Sequence, residues 1–223
     1  MNNIILLCSR ERFELFKQFV TNCISTKTST PIKVLMDNDD KQLNLYKSMN
    51  LPSNFELIIS ESGFSPVKKN KWWHENKHKD YDCIGLSADD VRPTTKFWDK
   101  QLFESCYNNS GISFANDLKQ KENLATHPFF SSKILKATDF IIYPKFKHFF
   151  ADLLWTMLGT VTNRICYRED IICEHLHPIW KTRSEDETTK RLSPFYSFDE
   201  KVFNENLKNG EFAKLVTKIQ SIN

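Results

Sequence analysis

Asp89 and Asp90 stand side by side three residues beyond a short apolar run, Cys83-Ile84-Gly85-Leu86, that reads as a buried strand. In an open α/β sheet, ligands gather at the carboxyl ends of the strands. A carboxylate pair placed there can hold a divalent cation, and a cation can neutralise a diphosphate. Alone, such a pair is as much a solvated turn or a helix cap, because aspartate favours both. Recurrence gives it weight. Ser9-Arg10 ends a first apolar run over residues 3–9, and Asp37-Asn38-Asp39-Asp40 ends a second over residues 32–36. A parallel sheet brings three such endings to one edge, with carboxylates for a base, a ribose and a metal, and Arg10 for phosphate. No Gly-x-Gly-x-x-Gly and no Gly-Lys-Ser/Thr loop is present, so phosphates must be met by metal and side chains.

A second cluster, Glu174-His175-Leu176-His177-Pro178, closes the last predicted strand. Histidines two apart in an extended segment point to opposite faces, so no more than one of the two can be aimed at an ion, and only if Asp90 lies within reach, while the other packs or meets substrate; a plain surface or core pair is the commoner fate. Asp152 is a single acid within Phe149-Phe150-Ala151-Asp152-Leu153-Leu154-Trp155. It serves either as a helix-dipole partner or as a buried functional group, and desolvation would raise its pKa and make it a better base. Asp117 and His127 are weaker candidates. Residues 68–79 interleave Trp72 and Trp73 with lysines. Stacking on nucleic acid is one use of such a run; buried tryptophans with solvated lysines is the plainer and favoured one.

Periodicity supplies the elements that must position these groups. Residues 10–24 form an amphipathic helix through Phe13, Phe16, Val20 and Ile24, with Ser9 as its cap. Further helices are expected over residues 41–49, 68–79, 96–107, 131–137 and 148–158, and strands over 56–60, 111–116, 165–168 and 171–174. Residues 182–190 read as a mobile charged loop, and 200–222 as a helix broken at Asn209-Gly210. Alternating strands and helices predict an α/β fold, a three-layer α/β/α sandwich with a mostly parallel central sheet. One domain over residues 1–192 with a C-terminal helical extension over 193–223 is the economical division of 223 residues. A net charge of +3 is too small to demand a nucleic-acid partner. The six cysteines lack zinc-site spacing and sit in apolar runs, which fits a reducing cytoplasm. Arg10, Glu11 and Arg12 interrupt the first apolar run too soon for a secretory core, and no run is long enough for a transmembrane segment.

In order and spacing these pieces resemble the compact GT-A-fold, family 2-like glycosyltransferases of bacteria and bacteriophages. Leu6-Leu7-Cys8-Ser9-Arg10 and Val34-Leu35-Met36-Asp37-Asn38-Asp39-Asp40 look like that family's nucleotide-binding start. Leu86-Ser87-Ala88-Asp89-Asp90-Val91 resembles its metal-binding acidic motif, reduced to an adjacent pair. Leu124-Ala125-Thr126-His127-Pro128-Phe129 resembles a further family segment, and Phe150 to Trp155 the one that carries the general base. Residues 174–178, followed by Lys181, Asp186 and Thr188, resemble its C-terminal metal histidine and closing loop. The likeness covers residues 3–188. Ser87 stands where an acid or glycine is usual and Glu11 where small members carry glycine, and the tail beyond Ser193 has no counterpart.

The resemblance implies metal-assisted transfer of a sugar from a nucleotide sugar, a UDP-sugar foremost, to an acceptor hydroxyl with inversion. In that scheme Asp90 holds the metal, Mn2+ or Mg2+, with His177, and with His175 as second choice, while Asp89 serves the ribose or shares the ion. Asp152 is the base. Arg10, Asp37 and Asp39 surround the nucleotide beside Ser9, and Asn76 faces the ribose. Lys181 and Thr188 close over the phosphates. His127, Asp117 and Trp72 are the acceptor-side residues. A hydroxymethylated base in phage DNA is one expected acceptor; a surface glycan or lipid-linked saccharide is the alternative. A non-catalytic nucleotide- or nucleic-acid-binding module, and a metal-dependent nucleotidyltransferase, are the competing readings.

Overall fold

The first apolar run forms β1 (Asn3–Cys8), buried along its middle because strands flank it on both sides in the computed structural model, which describes residues 1–222. α1 (Phe13–Ser25) turns Phe16, Phe19, Val20 and Cys23 to the core, as a 3.6-residue period requires. β2 (Ile32–Asp37) runs parallel to β1; α2 (Leu43–Ser48) leads to β3 (Phe55–Ser60), parallel to β2. α3 (Ser65–Asn76) crosses back to β4 (Cys83–Ala88), which lies parallel to β1 on its other side. The polar endings of β1, β2 and β4 therefore share one edge, as expected.

Beyond β4 the chain adds β5 (Val91–Pro93), α4 (Trp98–Asn108), β6 (Ile112–Asn116), β7 (Phe129–Ser131), α5 (Ser132–Thr138) and α6 (Ala151–Val161). β8 (Ile165–His175), α7 (Glu187–Leu192), α8 (Tyr196–Lys208) and α9 (Glu211–Gln220) complete it. The sheet has eight strands in the order β3-β2-β1-β4-β7-β6-β8-β5. Its parallel half is the expected one, but β7 is antiparallel to both β4 and β6, and β5 is antiparallel to β8, so the sheet is mixed. β5 and β7 went unread because three residues are too few to show a period. The two late strands are one, β8, with an irregularity where pairing jumps from Ala115–Arg168 to Asn116–Ile172.

One apolar layer packs α1 and α4 against the sheet, through Phe16, Phe19, Trp98 and Phe103. The opposite layer holds Trp73, Ile134 and Trp155, and the tail joins it through Phe203, Phe212, Leu215 and Ile219. Gly85 is required by this packing, since a Cβ there would lie 2.7 Å from the Phe129 ring. The tail also shapes the approach to α6. Asp199 is fully buried and accepts the backbone N–H groups of Lys147, His148 and Phe149, each at 2.8 Å. Phe150 then takes φ 66°, a left-handed conformation unfavourable for a bulky side chain, and α6 begins at Ala151 rather than at residue 148. Asp199→Ala would leave three amides without an acceptor. It is expected to cost about 3 kcal/mol, or roughly 6–12 °C in melting temperature for a chain of this size; an unchanged melt would refute the clamp.

Two other expectations are corrected. Ser9 does not cap α1, which starts after Arg12; its hydroxyl is committed elsewhere. Residues 182–190 are not a loose loop but a structured segment. Asp186 caps α7 by accepting the Thr189 N–H at 2.8 Å, and two arginines bind its carboxylate.

Candidate active site

The sheet edge opens into a cavity of about 540 Å3 lined by Ser9, Arg10, Asp37, Asp89 and Asp90 from the three strand endings. Asp152, His127, His175, His177 and Thr188 line the same cavity. Backbone ladders explain this convergence. Val91 pairs with His175 across β5–β8, and the Leu176 N–H donates to the Asp90 carbonyl at 2.8 Å, which seats His175 beside Asp90. The Leu86 N–H donates to the Pro128 carbonyl at 2.9 Å, which draws His127 alongside the end of β4.

One ligand atom each from Asp90, His127 and His175 lies within 4.8 Å of the others, with His175 Nε2 3.7 Å from Asp90 Oδ1. The Nδ1 atoms of His127 and His175 are buried without a hydrogen-bond partner. Two imidazoles and a carboxylate with orphaned nitrogens are a donor set suited to a divalent transition metal. Burial, with His175 beside it, pushes the His127 pKa down to about 3, so that ring is neutral and able to ligate at ordinary pH. His177 lines the cavity, but its Nδ1 accepts the Ile179 N–H at 3.3 Å and its ring lies 5.4 Å from that of His175. The geometry therefore groups His127 and His175 with Asp90, while His177 lines the cavity beside them.

The acid pair is more heavily engaged than a bare metal motif. Ser9 Oγ donates to Asp89 Oδ2 at 2.7 Å and also bonds the Tyr46 hydroxyl at 2.9 Å. Arg12 Nη1 donates to Asp89 Oδ1 at 3.2 Å and to Asp90 Oδ2 at 3.3 Å. Arg183 Nη2 donates to the same Asp90 oxygen at 3.3 Å, and both arginines also bind Asp186. Burial raises the Asp89 pKa to about 6, against the pull of Arg12. At Asp90 burial also opposes ionisation, but His175 and Arg12 foremost override it and hold the group low. Arg12 and Arg183 escaped the sequence reading because an arginine at a helix start and another in a charged stretch look solvated. Their partner, Asp186, is 174 residues from Arg12.

The remaining candidates divide. Arg10 is locked by Asp37 at 2.8 Å, Asp39 at 2.6 Å and Ser62 at 2.9 Å, so it forms a wall and not a free phosphate ligand. Asp37 is closed from the other side by Lys68 at 2.7 Å, and exposed Asp39 serves as an outer partner of Arg10. Thr188 Oγ1 donates to the Arg10 carbonyl at 3.0 Å, which ties the segment after β8 to the mouth. Glu11 takes φ 53°, the left-handed region, at the position where the resemblance expects glycine. Asp152 sits in the first turn of α6, where burial raises its pKa, the direction expected of it.

Four of the expected residues do not line this cavity. Asn76 lies at the far end of α3 and donates to the Trp72 carbonyl of its own helix at 2.8 Å, away from any ribose position. Trp72 is 5% exposed and packs on Tyr81, so it offers no stacking face. Asp117 is buried and its Oδ1 gathers the N–H groups of Lys119, Gln120 and Lys121, a loop-building task. Lys181 is exposed in a left-handed turn and does not line the cavity itself, but borders an adjoining hollow that shares His177, Arg183 and Thr189 with it. The expected solvation of the α3 lysines also fails at Lys68 and Lys69, which are buried.

No family model matches the chain, and no curated protein matches it. Solved structures do. Staphylococcus aureus TarS 1-349 in complex with UDP-GlcNAc superposes with TM-score 0.60 at 15% identity, covering 85% of this chain and 61% of that one. The Pyrobaculum calidifontis mannosyltransferase PcManGT, in complex with GDP-Man and Mn2+, gives 0.56 at 10% identity over 79% and 57%. A Desulfovibrio desulfuricans G20 protein described as a nucleotide-diphospho-sugar transferase gives 0.54 at 8% identity over 98% of both chains. This chain thus spans less than two thirds of TarS 1-349. No helix among the described residues is long and apolar enough to cross a membrane. With strand endings, topology and neighbours in agreement, the chain has a GT-A-like α/β fold.

Proposed function

We propose that this chain is a metal-assisted glycosyltransferase that moves a sugar from a nucleotide sugar, a UDP-sugar foremost, to an acceptor hydroxyl with inversion at the anomeric carbon. One observation carries the reading: an acid raised by burial, Asp152, shares a single cavity with the Asp90, His127 and His175 cluster and the polar ends of β1, β2 and β4. A nucleotide-binding module without catalysis has no use for that acid. The neighbours complexed with UDP-GlcNAc and with GDP-Man support a nucleotide-sugar donor without selecting the base.

Asp90, His127 and His175 would hold a divalent transition metal such as Mn2+, which their two imidazoles suit better than Mg2+ and which would supply positive charge beside the leaving diphosphate. Asp37 and Arg10, locked together, form the rigid wall for the base, with Ser9 and Asp89 beside the ribose. Asp152 takes the proton of the attacking hydroxyl on the face opposite the leaving group. Thr188 and the segment that carries Arg183 cover the phosphates and exclude water. A hydroxymethylated base in phage DNA is the first acceptor to test. Retention on DNA that weakens with salt supports it, because phosphate contacts release counterions; salt-independent absence of retention favours the surface glycan or lipid-linked saccharide.

A thermal-shift screen of nucleotides and nucleotide sugars, with and without Mn2+, tests the proposal. A donor at a hundredfold excess over its Kd stabilises by about 2.7 kcal/mol, roughly 5–10 °C here. The expected result is a shift for one nucleotide sugar that is larger with Mn2+ than without. A flat response to every nucleoside diphosphate sugar would sink the assignment.

A further inference from the structure

The basic side chains of the cavity are nearly all spoken for. Arg10 and Lys68 are held by Asp37; Arg12 and Arg183 are held by Asp90 and Asp186. Arg191 is exposed at the mouth, where water serves it. Lys69 is the exception. It lines the cavity from α3, is only 9% exposed, and forms no hydrogen bond or ion pair with any described residue. Its neighbour Lys68, equally buried, has Asp37 at 2.7 Å. The charge of Lys69 acts on Asp89 and Asp90 on one side and on His127 and His148 on the other, which sets it among the acid pair, the imidazole cluster and the loop leading to Asp152.

No carboxylate pairs directly with this buried ammonium, and Asp89 and Asp90, which attract it from farther off, are already held by Arg12, so a direct partner arrives with the ligand. We infer that Lys69 is the binding residue for an oxyanion of the donor, either the diphosphate or an acidic group on the transferred sugar. The inference rests on the nucleotide-sugar reading and deepens it. A donor has just these two sources of negative charge, and both are oxyanions that an ammonium meets as a point charge. Burial draws the Lys69 pKa below the ordinary lysine value in the empty cavity, and an arriving oxyanion reverses that shift.

The test compares the wild type with Lys69→Met, a change that keeps length and removes charge. Titrations with Mn2+ use UDP and GDP against their parent nucleosides, and UDP-glucose against UDP-glucuronic acid. Loss of at least about tenfold in diphosphate affinity, with nucleoside binding unchanged, assigns Lys69 to the diphosphate. A loss confined to UDP-glucuronic acid assigns it to an acidic sugar. Equal affinity of both proteins for every probe overturns the inference while leaving the donor reading intact. Failure of the wild type to bind any of these nucleotides overturns both. The empty Lys69→Met protein should melt at or above the wild-type temperature, because a buried unpaired charge has gone; a lowered melt would mean the side chain is structural and would also overturn the inference.

Discussion

Asp152→Asn is expected to slow sugar transfer by roughly 10³-fold, within the range of general-base catalysis, while donor binding stays unchanged. The substitution keeps shape and the contact in which Asp152 Oδ1 accepts the Leu153 N–H at 2.9 Å, so α6 starts as before. What it removes is the proton acceptor. The pH dependence carries the sign. Burial raises the Asp152 pKa, so the active carboxylate form is reached only above the ordinary aspartate range, and the rate should climb with pH through that raised value. In the Asp152→Asn protein that ascending limb should vanish. Steady-state kinetics over a pH series checks both points, and an unaltered rate would mean that another group takes the proton. A fall in donor affinity instead of rate would make Asp152 a binding residue.

The site was legible in the sequence where local pattern and topology agree. β1, β2 and β4 are continuous apolar runs, which is how strands buried on both faces read, and each ends in polar residues. The parallel crossover then dictates that Ser9, Asp37 and Asp89 share an edge. Asp152 stood out as a lone acid in an apolar stretch. Illegible features depended on pairings between distant segments. His127 reaches the cluster only because β7, three residues long, inserts antiparallel beside β4. His175 lies nearer Asp90 because the β5–β8 register sets it opposite Val91. Asn76 lies away from the cavity for a related reason: it sits at the end of a helix that runs away from the sheet edge, and its amide turns back on its own turn.

Asp90→Asn is expected to have the broadest effect on the site. Asparagine keeps the volume but offers a neutral oxygen in place of a charged ligand, so the Mn2+-dependent rise in melting temperature should disappear. Transfer should then fall on the order of 10³-fold or more, the equivalent of about 4 kcal/mol of lost charge stabilisation. The fold should survive, because Arg12 and Arg183 lose one partner and keep Asp186, at 2.7 and 3.0 Å. His127→Ala and His177→Ala separate the two candidate geometries. If the cluster seen here holds the ion, the first loses at least about tenfold in Mn2+ affinity and the second changes little, since the His177 Nδ1 is occupied by the Ile179 N–H. The reverse pattern would return the ligand role to His177. Retained metal-dependent turnover in Asp90→Asn would remove the metal from this cavity altogether, and Arg12 and Arg183 would then be the groups left to face the diphosphate.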